Sequence, residues 1–342
     1  MDTKLFTACL IAIAALGCPA LRAQQQNPSV IVLGVSGRPD QAGLELALRR
    51  GYFARQGLEI QTVQASGGPE FTSSLASDQI QVASGSPNPG LFNALNRGID
   101  IRMVADFAHV GDKNDRTFSL MVRADLMDSG VVKEPRDLKG RIISIGPRGP
   151  GQVPDVFYDK IFSPLGLTRN DLDLRYLSSF ADVMAAFSAK AIDAGFQIEP
   201  LVSQADATNI ARVLVPAGAV APGTELSVVY YSPAFAQRKD VATKFMIAFL
   251  QGIRDYYDAF FLDKNKDATI ALLIEHLPLK DPKIWEQSRQ YTDLNGHINV
   301  ADLKEQAAVY KKLGMITGPI PDIDKYVDPA FAEAAVKALG PR

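Results

Sequence analysis

The sequence predicts an α/β protein of two lobes, each built on a mostly parallel sheet, with a cleft between them. Two observations lead there. Short apolar runs rich in β-branched residues alternate with helix-like stretches, the pattern of parallel strands joined by helical crossovers. The order of these elements then recurs 112 residues further on, for example from Gly34 to Gly146. Length agrees, because 342 residues correspond to roughly two domains.

Residues 30–33 are a buried apolar run ended by Gly34 and read as the first strand. Residues 41–50 read as a helix stopped by Gly51, and residues 58–63 as a second strand. Ser66-Gly67-Gly68-Pro69-Glu70 is a loop feeding a helix, with Pro and Glu in its first turn. Ile80 and Val82 mark a third strand, residues 87–97 a helix closed by Gly98, and residues 99–107 a fourth strand.

The second copy begins at residues 141–145 with Gly146, over residues 30–33 with Gly34. Residues 183–192 lie over residues 71–80 at the same offset, so that Leu75 meets Phe187 and Ile80 meets Ile192. Each copy has an acid near its helix start, Glu70 or Asp182. Unrelated βαβ units could echo one another by chance, but a shared offset at both ends favours two lobes of similar build. The tail differs. Residues 226–231 read as a strand and residues 240–262 as a long helix, whose Val241, Phe245, Phe249, Ile253 and Tyr257 form a core-facing stripe. Helices are also expected at 267–275, 300–313 and 329–339, packed on the first lobe.

Extended crossings are expected at residues 117–122 and 228–232, which divides the chain into lobe 1 (27–117 and 228–342) and lobe 2 (118–227). Ligands of open α/β sheets sit beyond the carboxyl ends of the strands. Two lobes facing each other that way would line one cleft with their strand-end loops.

Residues 1–23 read as a cleavable secretory signal peptide: Lys4, an apolar run over 5–16, then Ala20-Leu21-Arg22-Ala23 with cleavage after Ala23. About 12 apolar residues are too few to span a bilayer, which takes roughly 20. A buried N-terminal helix is one alternative. Another is a lipid-carrying Cys18, because Leu16-Gly17-Cys18 resembles a lipobox, although Ala15 and Pro19 depart from it. Cleavage after Ala23 removes both cysteines, Cys9 and Cys18. The mature chain then has no disulfide, thiolate metal site or cysteine nucleophile. Asp2, Lys4 and Arg22 leave as well, taking the formal charge from -2 to -3. That balance excludes a nucleic-acid binder, which needs a basic surplus against phosphates.

The strand-end loops of the first lobe are Ser36-Gly37-Arg38-Pro39, Ser66-Gly67-Gly68 and Gly85-Ser86-Pro87-Asn88. Those of the second are Pro147-Arg148-Gly149-Pro150-Gly151-Gln152, Ser178-Ser179 and Gln197-Ile198-Glu199-Pro200. Their glycines let backbone approach a ligand, and the helix starts behind them present free N–H groups. Arg38 and Arg148 stand in corresponding loops and either flank an anion or are solvated. Ser86 either caps the next helix or faces the cleft. Glu199 either accepts from a ligand N–H or caps the helix beginning at Pro200. Enzyme signatures are thin. His109, His276 and His297 are scattered, and no phosphate loop, dinucleotide fingerprint or serine elbow appears. No cofactor or metal is expected.

Arg50-Gly51-Tyr52-Phe53 with Gly57-Leu58-Glu59-Ile60, then Ser66-Gly67-Gly68 and Gly85-Ser86-Pro87, resemble the first lobe of a known family: the nitrate/sulfonate/taurine and thiamine-precursor binding proteins of ABC importers. Asp137-Leu138-Lys139-Gly140-Arg141, Gly166-Leu167, Ala191-Ile192-Asp193-Ala194 and Glu199-Pro200 resemble its second lobe, and Tyr231-Ser232-Pro233-Ala234-Phe235 its return crossing. The resemblance covers residues 30–265 and implies a type II periplasmic-binding-protein fold with the ligand clamped between lobes. By position it implies ligand contacts at Arg38, Gly67, Gly68, Ser86, Asn88, Arg148, Ser179 and Glu199. It implies a monomer in the periplasm that takes a small polar or anionic molecule to an ABC permease and its ATPase, touching the inner membrane only through the permease. An exported enzyme on the same fold and a ligand sensor docking on a receptor are the alternatives. The same superfamily includes a cysteine-dependent desulfinase and a fungal pyrimidine synthase, whose cysteines the mature chain lacks.

Overall fold

The computed structural model describes residues 28–36, 41–64, 69–147, 149–287 and 289–342. The expected leader lies outside them, as do Arg38, Gly67, Gly68 and Arg148. The first part of the chain runs β1 (Ser29–Val35), α1 (Ala42–Arg49), α2 (Tyr52–Arg55), β2 (Leu58–Gln64), α3 (Pro69–Ala76), β3 (Val82–Gly85), α4 (Pro89–Asn96) and β4 (Arg102–His109). The second runs β5 (Phe118–Arg123), α5 (Ala124–Asp128), β6 (Ile142–Pro147), α6 (Val153–Phe162), β7 (Asp173–Leu177), α7 (Phe180–Ser188), β8 (Ala194–Ile198), α8 (Leu201–Ala207), β9 (Ala211–Pro216) and α9 (Ala217–Val220). The tail is β10 (Glu225–Tyr231), α10 (Pro233–Gln237), α11 (Lys239–Phe261), α12 (Lys266–His276), α13 (Pro282–Gln287), α14 (Val300–Lys312) and α15 (Ala330–Leu339).

The strands form two five-stranded sheets of matching design, ordered β2-β1-β3-β10-β4 and β7-β6-β8-β5-β9. In the first sheet β1 pairs parallel with β2 and β3, while β10 is antiparallel to both its neighbours. In the second, β6 is parallel to β7 and β8, and β5 is antiparallel to both its neighbours. One strand in each sheet therefore runs against the other four. Helices cover both faces, so the central strands are largely apolar, and every residue of Val82–Gly85 is buried. On one face of the first sheet, Ile31, Leu33 and Val229 pack with Phe245, Phe249 and Phe331. On the other, Ala83, Met103 and Val228 pack with Phe71, Phe92, Leu303 and Tyr310. The second sheet likewise divides, Leu120, Ile143 and Phe196 facing Phe157, with Met121 facing Val183 and Phe187.

The repeat is physical as well as textual. Leu75 and Phe187 are both buried, as are Ile80 and Ile192. Asp78 and Lys190, also 112 apart, both leave their helices at a φ of 56°. Gln81 Oε1 accepts the Val32 N–H at 2.8 Å, and Asp193 Oδ2 accepts the Ile142 N–H at 3.1 Å. Here the shared offset fails for one strand. The register sets Leu33 against Val82 but Ile143 against Ala194. Thus β6 matches β1 at an offset of 110, two residues short of the 112 read from the glycines.

The long helix also corrects its expected stripe. Phe245, Phe249 and Ile253 are buried, but the stripe continues through Tyr256 and Phe260 instead of Tyr257. At about 100° per residue, every fourth position drifts by about 40°, and the buried face must step back by one. Gly252 lets this helix cross α1 at close quarters: a Cβ there would lie 2.3 Å from the Gly43 carbonyl oxygen.

The expected crossings, residues 117–122 and 228–232, fall almost wholly inside β5 and β10, each an inner strand of its sheet. The chain changes sheets just before each, over residues 110–117 and 217–224. These segments are hydrogen-bonded to each other. Val110 N–H donates to Thr224 O at 2.9 Å, Gly223 N–H to Val110 O at 2.8 Å, and Gly218 N–H to Asp115 O at 3.0 Å. A Cβ on Gly218 would lie 1.9 Å from the Asp112 carbonyl oxygen, so glycine is required for this contact.

Candidate functional site

The turn after β3 in the first lobe faces the loop after β6 in the second. Direct contact occurs at Gly151, whose Cβ, if present, would sit 3.1 Å from Pro89 Cγ and 3.2 Å from Met315 Sδ. The turn before α4 and the turn before α6 therefore meet across the lobes. Below them α6 packs on α14: Lys160 Nζ lies 2.9 Å from Glu305 Oε2 and 3.3 Å from Asp302 Oδ1, and Lys312 Nζ lies 2.6 Å from Asp159 Oδ1.

Four expected contacts can be placed. Asn88, not Ser86, is the N-cap of α4: its Oδ1 accepts the Leu91 N–H at 3.1 Å, and its Nδ2 donates to Ser86 O at 3.0 Å. Pro89 takes the first helical position, where a missing N–H costs nothing. The Asn88 side chain is 3% exposed and serves the turn. Ser86 is half-buried, and among the described residues its hydroxyl has no hydrogen-bond partner. In the second lobe Ser179 caps α7, accepting the Asp182 N–H at 3.1 Å and donating to Asp182 Oδ2 at 2.9 Å. Glu199 reaches the first turn of α8, where Oε2 accepts the Ser203 N–H at 3.0 Å and Oε1 the Ser203 hydroxyl at 2.8 Å. Burial raises the Glu199 carboxyl above its ordinary value, against the opposing effects of the Ser203 hydrogen bonds and Arg116. Ser86 and Asn88 thus share one turn, while Ser179 and Glu199 stand at the ends of β7 and β8.

A cluster of buried acids joins β4, β10 and α14. Asp106 on β4, Glu225 on β10 and Asp302 on α14 are 0%, 1% and 4% exposed. Asp106 Oδ2 lies 2.7 Å from His109 Nδ1 and accepts the Asp293 N–H at 2.6 Å. Asp302 accepts from Thr224 Oγ1 at 3.0 Å and from the Glu225 N–H at 2.9 Å. Gln306 Nε2 donates to Asp302 Oδ2 at 2.6 Å. Glu225 Oε1 accepts the Asn299 N–H at 2.6 Å. Among the described residues, Asp106 Oδ1 and Glu225 Oε2 are buried without another donor. A proton on Glu225 directed at Asp106 would satisfy both. Burial first, then the charges of Asp106 and Asp302, raise the Glu225 carboxyl well above its ordinary range, against the Asn299 N–H. It is therefore neutral at pH 7. Burial disfavours charge on His109, but Asp106, Asp293 and Asp115 outweigh it and raise the imidazole. The available signal was Asp106 itself, a lone charge inside the apolar run Val104-Ala105-Asp106-Phe107-Ala108. Among the described residues, no group of three or more His, Cys, Asp or Glu side chains could hold a metal ion.

The model of the NMT1/THI5 like family matches residues 38–259, more than half of the chain and both lobes. The chain belongs to that family. No curated protein sequence matches it. Among solved structures, the periplasmic aliphatic sulphonate binding protein SsuA from Escherichia coli superposes with a TM-score of 0.70 at 18% identity, over 87% of this chain and 97% of that one. The periplasmic nitrate-binding protein NrtA from Synechocystis PCC 6803 gives 0.69 at 14% identity, over 92% and 89%. The desulfurization enzyme DSZB gives 0.61 at 16% identity, over 91% and 99%. These likenesses establish the fold expected from sequence: the type II periplasmic-binding-protein fold, with two lobes. Among the described residues no helix is long and apolar enough to cross a membrane.

Proposed function

We propose that this family member is a periplasmic solute-binding protein that closes its lobes on a small polar or anionic molecule and presents it to an ABC importer. The observation that carries this reading is mechanical. Two lobes of like design are joined by two crossings that hydrogen-bond to each other, and the strand-end turns of both face one another at Gly151 and Pro89. Contacts made by both lobes favour the closed state, and the permease reads that state. The family assignment and the sulfonate and nitrate binders that share the fold are consistent with it. Residues 1–23 act as the export signal, and the mature chain works as a monomer of two lobes, 27–117 with 228–342 and 118–227. Ser86, Ser179 and Glu199 face the ligand together with Arg38, Gly67, Gly68 and Arg148, and Asn88 holds the turn that presents Ser86.

A thermal-shift screen of sulfonates, carboxylates, nitrate and pyrimidines tests the reading. A true ligand at a hundredfold excess over Kd stabilises the fold by about 2.7 kcal/mol. If Arg38→Ala and Arg148→Ala leave the affinity for a discovered anion unchanged, the arginines do not clamp it. Turnover of the bound molecule by purified protein would instead identify an enzyme on this fold.

A further inference from the structure

Beneath the turn that carries Ser86 lies a depression of about 10 Å³, lined by Phe71, Thr72, Gly85, Ser86, Asn88 and Tyr230 among others. That volume holds one water-sized group. Tyr230 is 4% exposed, yet among the described residues its hydroxyl has no hydrogen-bond partner. An unpaired buried hydroxyl costs stability and calls for a physical reason. Neighbouring hydroxyls do not provide it: Tyr310 donates to Pro87 O at 3.3 Å, fixing the underside of the same turn. Above, the Ser86 hydroxyl is also unbonded among the described residues. Among the described residues, no charged side chain lines the depression.

We propose that Tyr230 is a specificity-determining binding residue, whose hydroxyl donates from the floor of the cleft to one oxygen of the ligand seated against Ser86. The inference rests on the solute-binding reading above and narrows it to ligands with an oxygen that can enter a hydroxyl-lined, uncharged recess. Burial raises the Tyr230 phenol well above its ordinary value, and Tyr310 and Glu225 act in the same sense. The group keeps its proton and remains a donor throughout the range in which the protein would work. Its position on the inner strand β10 fixes the hydroxyl on rigid sheet, not on a loop.

The test is Tyr230→Phe, which removes one unpaired oxygen and leaves the ring packing intact. Binding of nitrate, methanesulfonate and acetate to the full mature chain is measured by calorimetry, alongside the thermal stability of the unliganded protein. Expected is a loss of about tenfold in affinity for the anion that binds, the size of one hydrogen bond, with unliganded stability equal to or above wild type. Ser86→Ala should cost a similar factor, and the double variant less than the product of the two. Wild-type binding with no loss in Tyr230→Phe overturns this proposal and leaves the solute-binding reading standing. Failure of the wild type to bind any of the three overturns this proposal, and the solute-binding reading then rests on the wider thermal-shift screen. A fall in unliganded stability that matches the fall in affinity would assign the hydroxyl a structural role instead.

Discussion

Glutamine at position 225 should flatten the dependence of stability on pH. In the folded protein the Glu225 carboxyl is neutral and bridges Asn299 and Asp106; unfolded, it returns to an ordinary value of 4.5. Its folded pKa is raised, so its contribution is fully present below 4.5 and is lost as pH rises toward the folded value. Within that window the unfolded chain releases a proton that the folded chain keeps. Each pH unit then costs about 1.4 kcal/mol, or about 2.7 kcal/mol from pH 5.5 to 7.5. Glutamine copies the protonated geometry, its oxygen accepting from Asn299 and its NH₂ donating to Asp106, with no proton to lose. His109 has the same sign: its raised pKa gives a contribution present below 6.5 and lost as pH rises through the folded value. It persists in the variant, so the difference between the two curves isolates Glu225. Urea midpoints at pH 5.5, 6.5 and 7.5, converted with a common slope, measure this. Parallel curves for wild type and Glu225→Gln, within about 0.5 kcal/mol across the range, would refute the shared-proton argument.

Other consequences are equally direct. Gly252→Ala should destabilise by about 1–3 kcal/mol through overpacking, because the new Cβ meets the Gly43 carbonyl oxygen at 2.3 Å and the Ala47 nitrogen at 2.7 Å, both backbone atoms. A denaturation midpoint unchanged from wild type would contradict that. Asn88→Ala should cost about 1 kcal/mol or more as a lost cap, whereas Ser86→Ala should leave unliganded stability unchanged. Equal losses from the two would mean that the cap has been assigned to the wrong residue.

Much of the fold was legible because burial on both faces leaves the inner strands as continuous apolar runs, and glycines punctuate them. Direction was not. Residues 118–123 and 225–231 look like any other buried strand, and nothing in their composition says that each runs against its neighbours or lies inside the sheet. A stretch of this kind reads equally well as a crossing between lobes. Around Ser86-Pro87-Asn88-Pro89 the sequence offers two polar residues each followed by proline, and only the backbone shows that Pro89 opens the helix. Glu199 and Ser179 were legible as residues at strand ends, with capping roles that their positions before helices already allowed. Tyr230 was not legible as a binding group: on this strand it is simply one more residue of the run Val228-Val229-Tyr230-Tyr231. The buried acids were visible one by one but come from β4, β10 and α14, so no spacing could join them.

The late arrival of β10 in the first sheet also sets an order of events. All five strands of the second sheet lie within residues 118–216, so that sheet can be completed from one continuous stretch of chain. The first cannot. Among its strands β4 pairs only with β10, whose last residue is Tyr231, and β3 meets β10 across the long separation from Gly85 to Val228. Closing so long a loop is entropically slow. The lobe that starts the chain is therefore the last to finish. In pulse-labelled exchange during refolding, the amides of β6 and β8 should gain protection before those of β4. Until β10 arrives, the first sheet is a three-stranded fragment with an open edge, and the chain remains short of its native state for as long as that strand is withheld.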